Sequence, residues 1–229
     1  MEDRQPSQTA LAAAAARAAH LVVDREPLVF RDPVAADLIG EPGAEMVGYH
    51  RASGDHIVLS GTRAQVTVRS RYTEQRLAEL AADGLTQYVL LGAGLDGFAY
   101  RSPLATRIRV FEVDHPATQR WKRDLLAAAR ITPPDGLAFV GVDLETEPLA
   151  DRLAAGGFDP SAPALVSWLG VSMYLTPRRS PPPWPRSAAW PPAPSWSWST
   201  PCRPSCATRP APPTPSSPSR SPRNGASPG

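Results

Sequence analysis

The composition of the chain changes abruptly at Pro177, and this change limits how much of it can fold. Residues 177–229 contain 17 of the 28 prolines and four of the six tryptophans, but no Leu, Ile, Val, Phe, Met or Tyr. A segment of this composition buries too little apolar surface to offset the entropy that it would lose on ordering. We therefore predict one folded domain at residues 1–176, followed by a disordered Pro/Arg/Ser-rich tail at residues 177–229.

Charge is divided at the same position. All 22 acidic residues and 17 of the 24 basic residues lie before Pro177, so the domain carries a net charge of −5 and the tail carries seven arginines. A basic excess normally indicates a nucleic-acid or anionic-membrane partner. Here the excess belongs to the tail alone and says nothing about the domain, for which we expect neither nucleic acid nor a membrane as a partner.

The remaining bulk features are those of a cytoplasmic, soluble protein, and the cytoplasm is the expected location. No apolar run approaches the length of a membrane span, and charged residues soon follow the short Ala12–Ala16 run. Cys202 and Cys206 both lie in the tail, with no histidine nearby, so no metal site is predicted. The sequence gives no indication of the oligomeric state.

Strands and helices alternate through the second half of the domain. Four short apolar runs are typical of buried strands: residues 87–91, 108–113, 137–142 and 164–168. Helical patterns cover residues 7–24, 62–82, 116–130 and 148–155. This alternation predicts an α/β fold with a doubly wound, mostly parallel, Rossmann-like sheet, incomplete at its C-terminal side.

A glycine turn follows the first predicted strand. Gly92, Gly94 and Gly97 in V-L-L-G-A-G-L-D-G have the G-x-G-x-x-G spacing of a dinucleotide-binding turn. Glycines let a ligand approach backbone N–H groups closely, because no Cβ stands in the way. The same spacing also fits a tight strand-to-helix turn without a ligand.

Acidic residues follow the next two strands. Asp114 ends the second strand, where a carboxylate can accept hydrogen bonds from both hydroxyls of a ribose. Asp143 and Leu144 follow the third strand and suit an adenine, the acid bonding its amine and the leucine packing on its ring. Each acid could instead cap the helix that follows it. Because the carboxyl ends of parallel strands share one edge, we predict a nucleotide site there.

Six segments occur in a characteristic order along the chain. They are F-R-D-P-V-A-A (30–36), R-S-R-Y-T-E-Q-R-L (69–77), V-L-L-G-A-G-L-D-G-F-A-Y-R (89–101), F-E-V-D-H-P (111–116), V-D-L (142–144) and W-L-G-V-S-M-Y-L-T (168–176). Together they make roughly residues 9–176 resemble the leucine carboxyl methyltransferase-like branch of class I S-adenosylmethionine-dependent methyltransferases.

The resemblance implies a cofactor and its ligands. S-adenosyl-L-methionine would lie over Gly92 and Gly94, with Asp114 at the ribose and Asp143 and Leu144 at the adenine. Arg71 would bind the methionine carboxylate. The implied activity is methyl transfer to an oxygen of a small molecule or carboxylate. Without the resemblance, Arg71 is typical of an exposed helix arginine paired with Glu74 or Gln75.

One position departs from the family pattern. Leu169 stands where the family usually has an acid that contacts the amino group of the cofactor. Losing a charge-assisted hydrogen bond costs about 1.5–3 kcal/mol, which is roughly a ten- to hundredfold loss of affinity.

Two other functions remain open at this point. An NAD(P)-dependent oxidoreductase would use the same glycines and Asp114, but it needs a full helix after the glycine turn, and Pro103 leaves little room for one. A catalytically inactive product would act only through its basic, Pro-rich tail.

No catalytic base is singled out: His20, His50, His56 and His115 lack a partner motif. Tyr174 suits either the wall of a methyl-transfer pocket or the core.

The tail composition also predicts a frame-shifted reading of a GC-rich gene. Residues 194–203 can be back-translated with codons mostly ending in G or C and with Ser199 read as AGT. Read from each third base, they then become Glu-Leu-Val-Val-Glu-Tyr-Ala-Val-Pro. That is a β-branched pattern of the kind a fifth strand requires. A genuine disordered tail is the alternative.

Overall fold

The carboxyl half of the domain forms a parallel sheet, and its amino half forms a layer of helices. The computed structural model describes residues 7–170 and the backbone of Ser197–Trp198. The helices are α1 (Gln8–Val23), α2 (Pro33–Leu38), α3 (Gly40–Ala52), α4 (Ile57–Ala82), α5 (Phe98–Arg101), α6 (Pro116–Ala128) and α7 (Leu149–Ala155), with a 3₁₀ turn at Pro103–Thr106. The strands are β1 (Gln87–Leu91), β2 (Arg109–Asp114), β3 (Leu137–Gly141), β4 (Ala164–Trp168) and β5 (Ser197–Trp198).

The strand order is β3-β2-β1-β4-β5, and every pair is parallel. Leu91, the last residue of β1, is aligned with Val113 in β2 and Trp168 in β4. The strand ends therefore meet at one edge of the sheet. The predicted α/β class with a parallel, Rossmann-like sheet is confirmed.

Both faces of the sheet are covered. On one face, Val89 and Phe111 pack against α7 and the chain after it, with Phe158 meeting Phe111 edge-on at 5.5 Å. On the other face, Tyr88 and Val110 pack against α4 and α5. Burial on both faces explains why these strands are continuous apolar runs rather than alternating ones.

The edge of the sheet beyond β4 carries a short strand. Ser197 pairs with Ser167, and Trp198 pairs with Trp168. These two residues belong to the predicted tail and to the segment whose shifted reading predicts a strand. All other tail residues, and Tyr174, lie outside the described residues, so disorder of the tail and the frame shift stay predictions.

The helices agree with the sequence pattern except at three places. Helix α3 was not expected, because G-E-P-G-A-E is a weak helix former. Helix α4 begins at Ile57, earlier than the predicted Thr62, and His56 caps it by accepting from Val58 N. Asp114 does not cap α6. His115 does, accepting from Ala117 N at 3.2 Å.

Helix α1 is buried over most of its length. Its alanines allow close packing against α2, α3 and α4, and Ser7 caps it by accepting from Ala10 N. Among the described residues, no helix combines the length and the apolarity that a membrane crossing requires.

Candidate cofactor site

A cavity of about 410 Å³ lies at the carboxyl edge of the sheet. Its walls come from the ends of β1 to β4, the glycine loop (residues 92–97), α1 and α4. Five of the six residues that the sequence predicts for the site line this cavity: Gly92, Gly94, Asp114, Asp143 and Leu144. The sixth, Arg71, does not.

The glycine loop adopts a backbone conformation that other residues rarely reach. Gly92 has φ +66° and Gly94 has φ +48°, both in the left-handed region. A Cβ on Gly94 would lie 2.9 Å from the Cβ of Ala10 in α1. The second glycine of the motif is thus needed partly because α1 packs directly on the loop.

Asp114 holds the loop while facing the cavity. Its Oδ2 accepts from Gly94 N at 2.6 Å, and its Oδ1 accepts from His115 N at 2.7 Å. Burial raises the pKa of Asp114, because water is withheld from the charged form, and the two N–H donors oppose that rise. Each carboxylate oxygen has a second lone pair, so the group can accept further bonds from a ligand.

Asp143 is oriented by its own turn. Its Oδ1 accepts from Glu145 N at 3.0 Å, and its backbone N donates to Glu147 Oε2 at 2.9 Å. Leu144 packs against the core cluster on the α7 face and presents apolar surface to the cavity. An acid beside an apolar surface suits a flat heterocycle with an amino group.

Arg71 lies away from this cavity, which corrects its predicted placement. It is exposed, and its Nη1 donates to the Val29 carbonyl at 2.9 Å. It lines a separate, open cavity of about 390 Å³ with Phe30 and Arg101. Among the described residues, it also does not pair with Glu74 or Gln75, the partners expected of an exposed helix arginine. Glu74 bonds Arg101 through both carboxylate oxygens, and Gln75 bonds Glu79.

Arg69 lines the cavity instead. Two residues along a helix correspond to about 200° of rotation, so Arg69 and Arg71 point in nearly opposite directions. The buried face of α4 contains Val66, Ser70 and Thr73, and Arg69 lies beside it. The spacing of the apolar and small residues along α4 was therefore the sequence signal that Arg69, and not Arg71, lies beside the buried face.

The guanidinium of Arg69 has no hydrogen bond or ion pair among the described residues. Burial and the nearby Arg17 both lower the pKa of Arg69, while Asp96 acts in the opposite direction. A half-buried cation without an anionic partner is costly. It therefore favours a bound anion in this part of the cavity.

Leu169 and Gly170 form the wall at the end of β4. A Cβ on Gly170 would lie 2.7 Å from Nη1 of Arg69, so this glycine makes room for the arginine. The leucine side chain offers no hydrogen-bond acceptor at the position where the family resemblance implies an acid.

All four histidines have structural partners. His115 and His56 cap helices, while His20 bonds Asp24 and His50 bonds Arg63. His115 alone lines the cavity. Within the part of the chain that the structure describes, no group of three or more His, Cys, Asp or Glu could hold a metal ion.

The segment after the glycine loop is too short for the dinucleotide-binding arrangement. Helix α5 spans only Phe98–Arg101 and is followed by the 3₁₀ turn. The full helix that an NAD(P) site places at the glycine turn is therefore missing from residues 98–108.

Comparison with known proteins agrees with this geometry. The family model described as leucine carboxyl methyltransferase matches residues 10–181. A Bacillus subtilis protein, provisionally named S-adenosyl-L-methionine-dependent methyltransferase YktD, is 36% identical over 197 residues, covering 77% of this chain and 64% of that protein. A Frankia alni protein with the same kind of provisional name is 36% identical over 175 residues, covering 74% of this chain and 55% of that protein.

The length of the match sets its scope. This chain spans between about half and two thirds of these relatives, and residues 182–229 lie outside the family match. The glycine loop lies inside it, and so do all the residues that line the cavity except Ser7 and Thr9. The chain belongs to the leucine carboxyl methyltransferase family.

Proposed function

We propose that this chain binds S-adenosyl-L-methionine in the cavity at the carboxyl edge of the sheet. The observation that carries the proposal is the cavity's charge arrangement: the cation Arg69 on α4, which has no partner among residues 7–170, with Asp114 and Asp143 at the ends of β2 and β3. The cofactor has a matching group for each: a carboxylate for Arg69, a ribose for Asp114 and an adenine for Asp143. Asp114 would hold the ribose hydroxyls, Asp143 and Leu144 the adenine, and Arg69, in place of Arg71, the carboxylate.

The proposed reaction is methyl transfer to an oxygen of a small molecule, either a carboxylate or a hydroxyl. The cofactor's sulfonium supplies an already activated methyl group. The task of the protein is then to bind and orient, since placing two reactants in line supplies much of the acceleration. This fits a site in which the glycine loop, Asp114 and Asp143 are fixed by hydrogen bonds.

The location of such an enzyme is proposed to be the cytoplasm. The residues before Pro177 contain no cysteine, and both cysteines follow it. A domain without disulfides and with a small-molecule cofactor suits a reducing compartment.

Calorimetry on the full chain tests the cofactor. S-adenosyl-L-methionine and S-adenosyl-L-homocysteine should bind, and NADH should not. Arg69→Met should weaken binding roughly ten- to hundredfold, because it removes a charge-assisted bond to the carboxylate.

Arg71→Met is the matched control. It makes the same chemical change two residues away on the same helix and should leave the affinity within roughly twofold. Binding of NADH, or equal effects of the two substitutions, would contradict the proposed site.

A further inference from the structure

Two buried cations bond consecutive carbonyl groups of the glycine loop. Arg17 Nη2 donates to the Leu95 carbonyl at 2.6 Å, and Lys122 Nζ donates to the Asp96 carbonyl at 2.8 Å. Only 6% of Arg17 and 1% of Lys122 are exposed. The loop is therefore held through its carbonyl groups, from α1 on one side and from α6 on the other.

Each cation has a buried carboxylate partner. Arg17 Nε donates to Asp32 Oδ2 at 2.8 Å, and Lys122 Nζ donates to Glu112 Oε2 at 2.7 Å. Asp32 and Glu112 are each 1% exposed. Because buried charges are unfavourable unless paired and hydrogen-bonded, these two ion pairs restrict the loop to the arrangement that satisfies them.

Asp32 is the centre of one of these arrangements, although it does not line the cavity. Besides Arg17, its carboxylate lies 3.2 Å from Nε of Arg101 and accepts from Ala35 N at the start of α2. A Cβ on Gly97 would lie 2.5 Å from Asp32 Oδ1. The third glycine of the motif thus makes room for Asp32 rather than for a ligand.

Helix α1 is both a wall of the cavity and the carrier of Arg17. Ala10 and Ala13 line the cavity with Arg17, from successive turns of one helix face. The guanidinium fork uses one arm for Asp32 and another for the loop. The position of α1 and the conformation of the glycine loop are consequently set by the same side chain.

We infer that Asp32 is a positioning residue for the cofactor, acting through Arg17. This inference rests on the proposed function. The Asp32 carboxylate fixes the orientation of the Arg17 guanidinium. The guanidinium in turn holds the Leu95 carbonyl and so sets how α1 packs on the glycine loop. Cofactor affinity then depends on an ion pair in which the carboxylate partner does not face the cofactor.

Asp32→Asn tests this with the least change. Asparagine is as good a helix cap as aspartate, so α2 keeps its cap. The amide has one acceptor oxygen and no charge, so it cannot serve Arg17 and Arg101 together. Asp24→Asn is the control, because Asp24 also ties α1 to the helix layer, through two bonds to Arg63, but touches neither the loop nor the cavity.

The two variants are compared by calorimetry with S-adenosyl-L-homocysteine and by hydrogen exchange of the unliganded full chain. Asp32→Asn should raise the dissociation constant at least roughly tenfold and speed amide exchange in residues 92–97. Asp24→Asn should lower the melting temperature while leaving both measurements near those of the wild-type chain.

Equal effects of the two variants, or unchanged exchange and affinity in a folded Asp32→Asn chain, would overturn the inference. If Asp32→Asn does not fold, Arg17→Lys gives the answer, since it keeps the charge beside Asp32 but lacks the two-armed fork. Its affinity should fall at least roughly tenfold, and unchanged affinity would overturn the inference. A wild-type chain that binds no cofactor would contradict the proposed function instead, and loop exchange would still decide the role of Asp32.

Discussion

The two sides of the cavity are built in different ways. At the ends of β2 and β3, Asp114 and Asp143 face the cavity with their carboxylates fixed by neighbouring backbone N–H groups. At the end of β4, the wall is Leu169 and Gly170, and Leu169 provides no acceptor. The carboxylates on the β2 and β3 side are thus held by local hydrogen bonds. The wall on the β4 side is formed by the residues that directly follow that strand.

The sheet shows the same contrast. β1 pairs along its whole length with β2 and β4, but β5 pairs with only Ser167 and Trp168. An unpaired strand edge is a template for association with other chains. Among the described residues, β4 has a partner at only two positions on this side, so we predict that activity and solubility depend on what the chain after β4 supplies there.

The largest effect should come from changing the chain after Thr176. If residues 177–229 are a frame-shifted reading, restoring the frame should supply further strands beside β4. Methyl transfer, solubility and thermal stability should then all increase, because such strands would pair with the edge of β4 and enlarge the core. Resequencing the codons for residues 176–180 is the first measurement, followed by melting curves of both chains.

Two results would contradict this prediction. One is an intact frame in repeated reads together with tail peptides detected in native cells by mass spectrometry. The other is a wild-type chain that already melts sharply and cooperatively as a soluble monomer.

A loss of roughly ten- to hundredfold in cofactor affinity is expected for Asp114→Ala. The substitution removes the ribose acceptor and also the bond to Gly94 N that shapes the loop. Asp114→Asn is a graded comparison, because it keeps one acceptor oxygen and should lose less. Unchanged calorimetric affinity in Asp114→Ala would remove the ribose assignment.

The sequence predicted the β1 to β3 side well and the helix layer less well. Buried strands and the acids after them are local signals, so Asp114 and Asp143 could be placed on one edge. The family resemblance implied Arg71 for the cofactor, but the helical rotation between the two arginines puts Arg69 in the cavity and Arg71 outside it. Asp32 had no readable role, since its partners Arg17 and Arg101 lie 15 and 69 positions away and only the tertiary fold brings them together.

A gain of roughly tenfold in affinity is expected for Leu169→Glu, which would sharpen the contrast by giving the β4 side an anionic acceptor. Glutamate at this position could bond the cofactor's amino group, because residue 169 lines the cavity. Leu169→Gln is the control, because it adds an acceptor without charge and should gain less. Calorimetry that shows weaker binding for Leu169→Glu than for wild type would contradict the amino-group assignment.

The smallest effect on affinity should come from His50, in the helix layer away from the cavity. Its Nδ1 lies 3.1 Å from Nη1 of Arg63, which also pairs with Asp24, and Asp24 in turn bonds His20. Burial, together with the positive charge of Arg63, lowers the pKa of His50 below its usual 6.5. The neutral ring can accept from Arg63, whereas the protonated ring cannot.

The direction of the pH dependence follows from that lowered pKa. The folded state binds the proton less readily than the unfolded state, so this contribution to stability is complete above pH 6.5 and is lost as the pH falls below it. His50→Gln keeps an acceptor that does not titrate. The melting temperature of the wild-type chain should therefore fall more than that of His50→Gln between about pH 7.5 and pH 5.5.

Glu74, whose pKa burial raises to about 7, contributes to the pH dependence of stability with the opposite sign. It is common to both chains, so its contribution cancels in the comparison. Parallel melting profiles would contradict the assignment, and a change in cofactor affinity beyond roughly twofold would show that the helix layer and the cavity are coupled more strongly than the structure indicates.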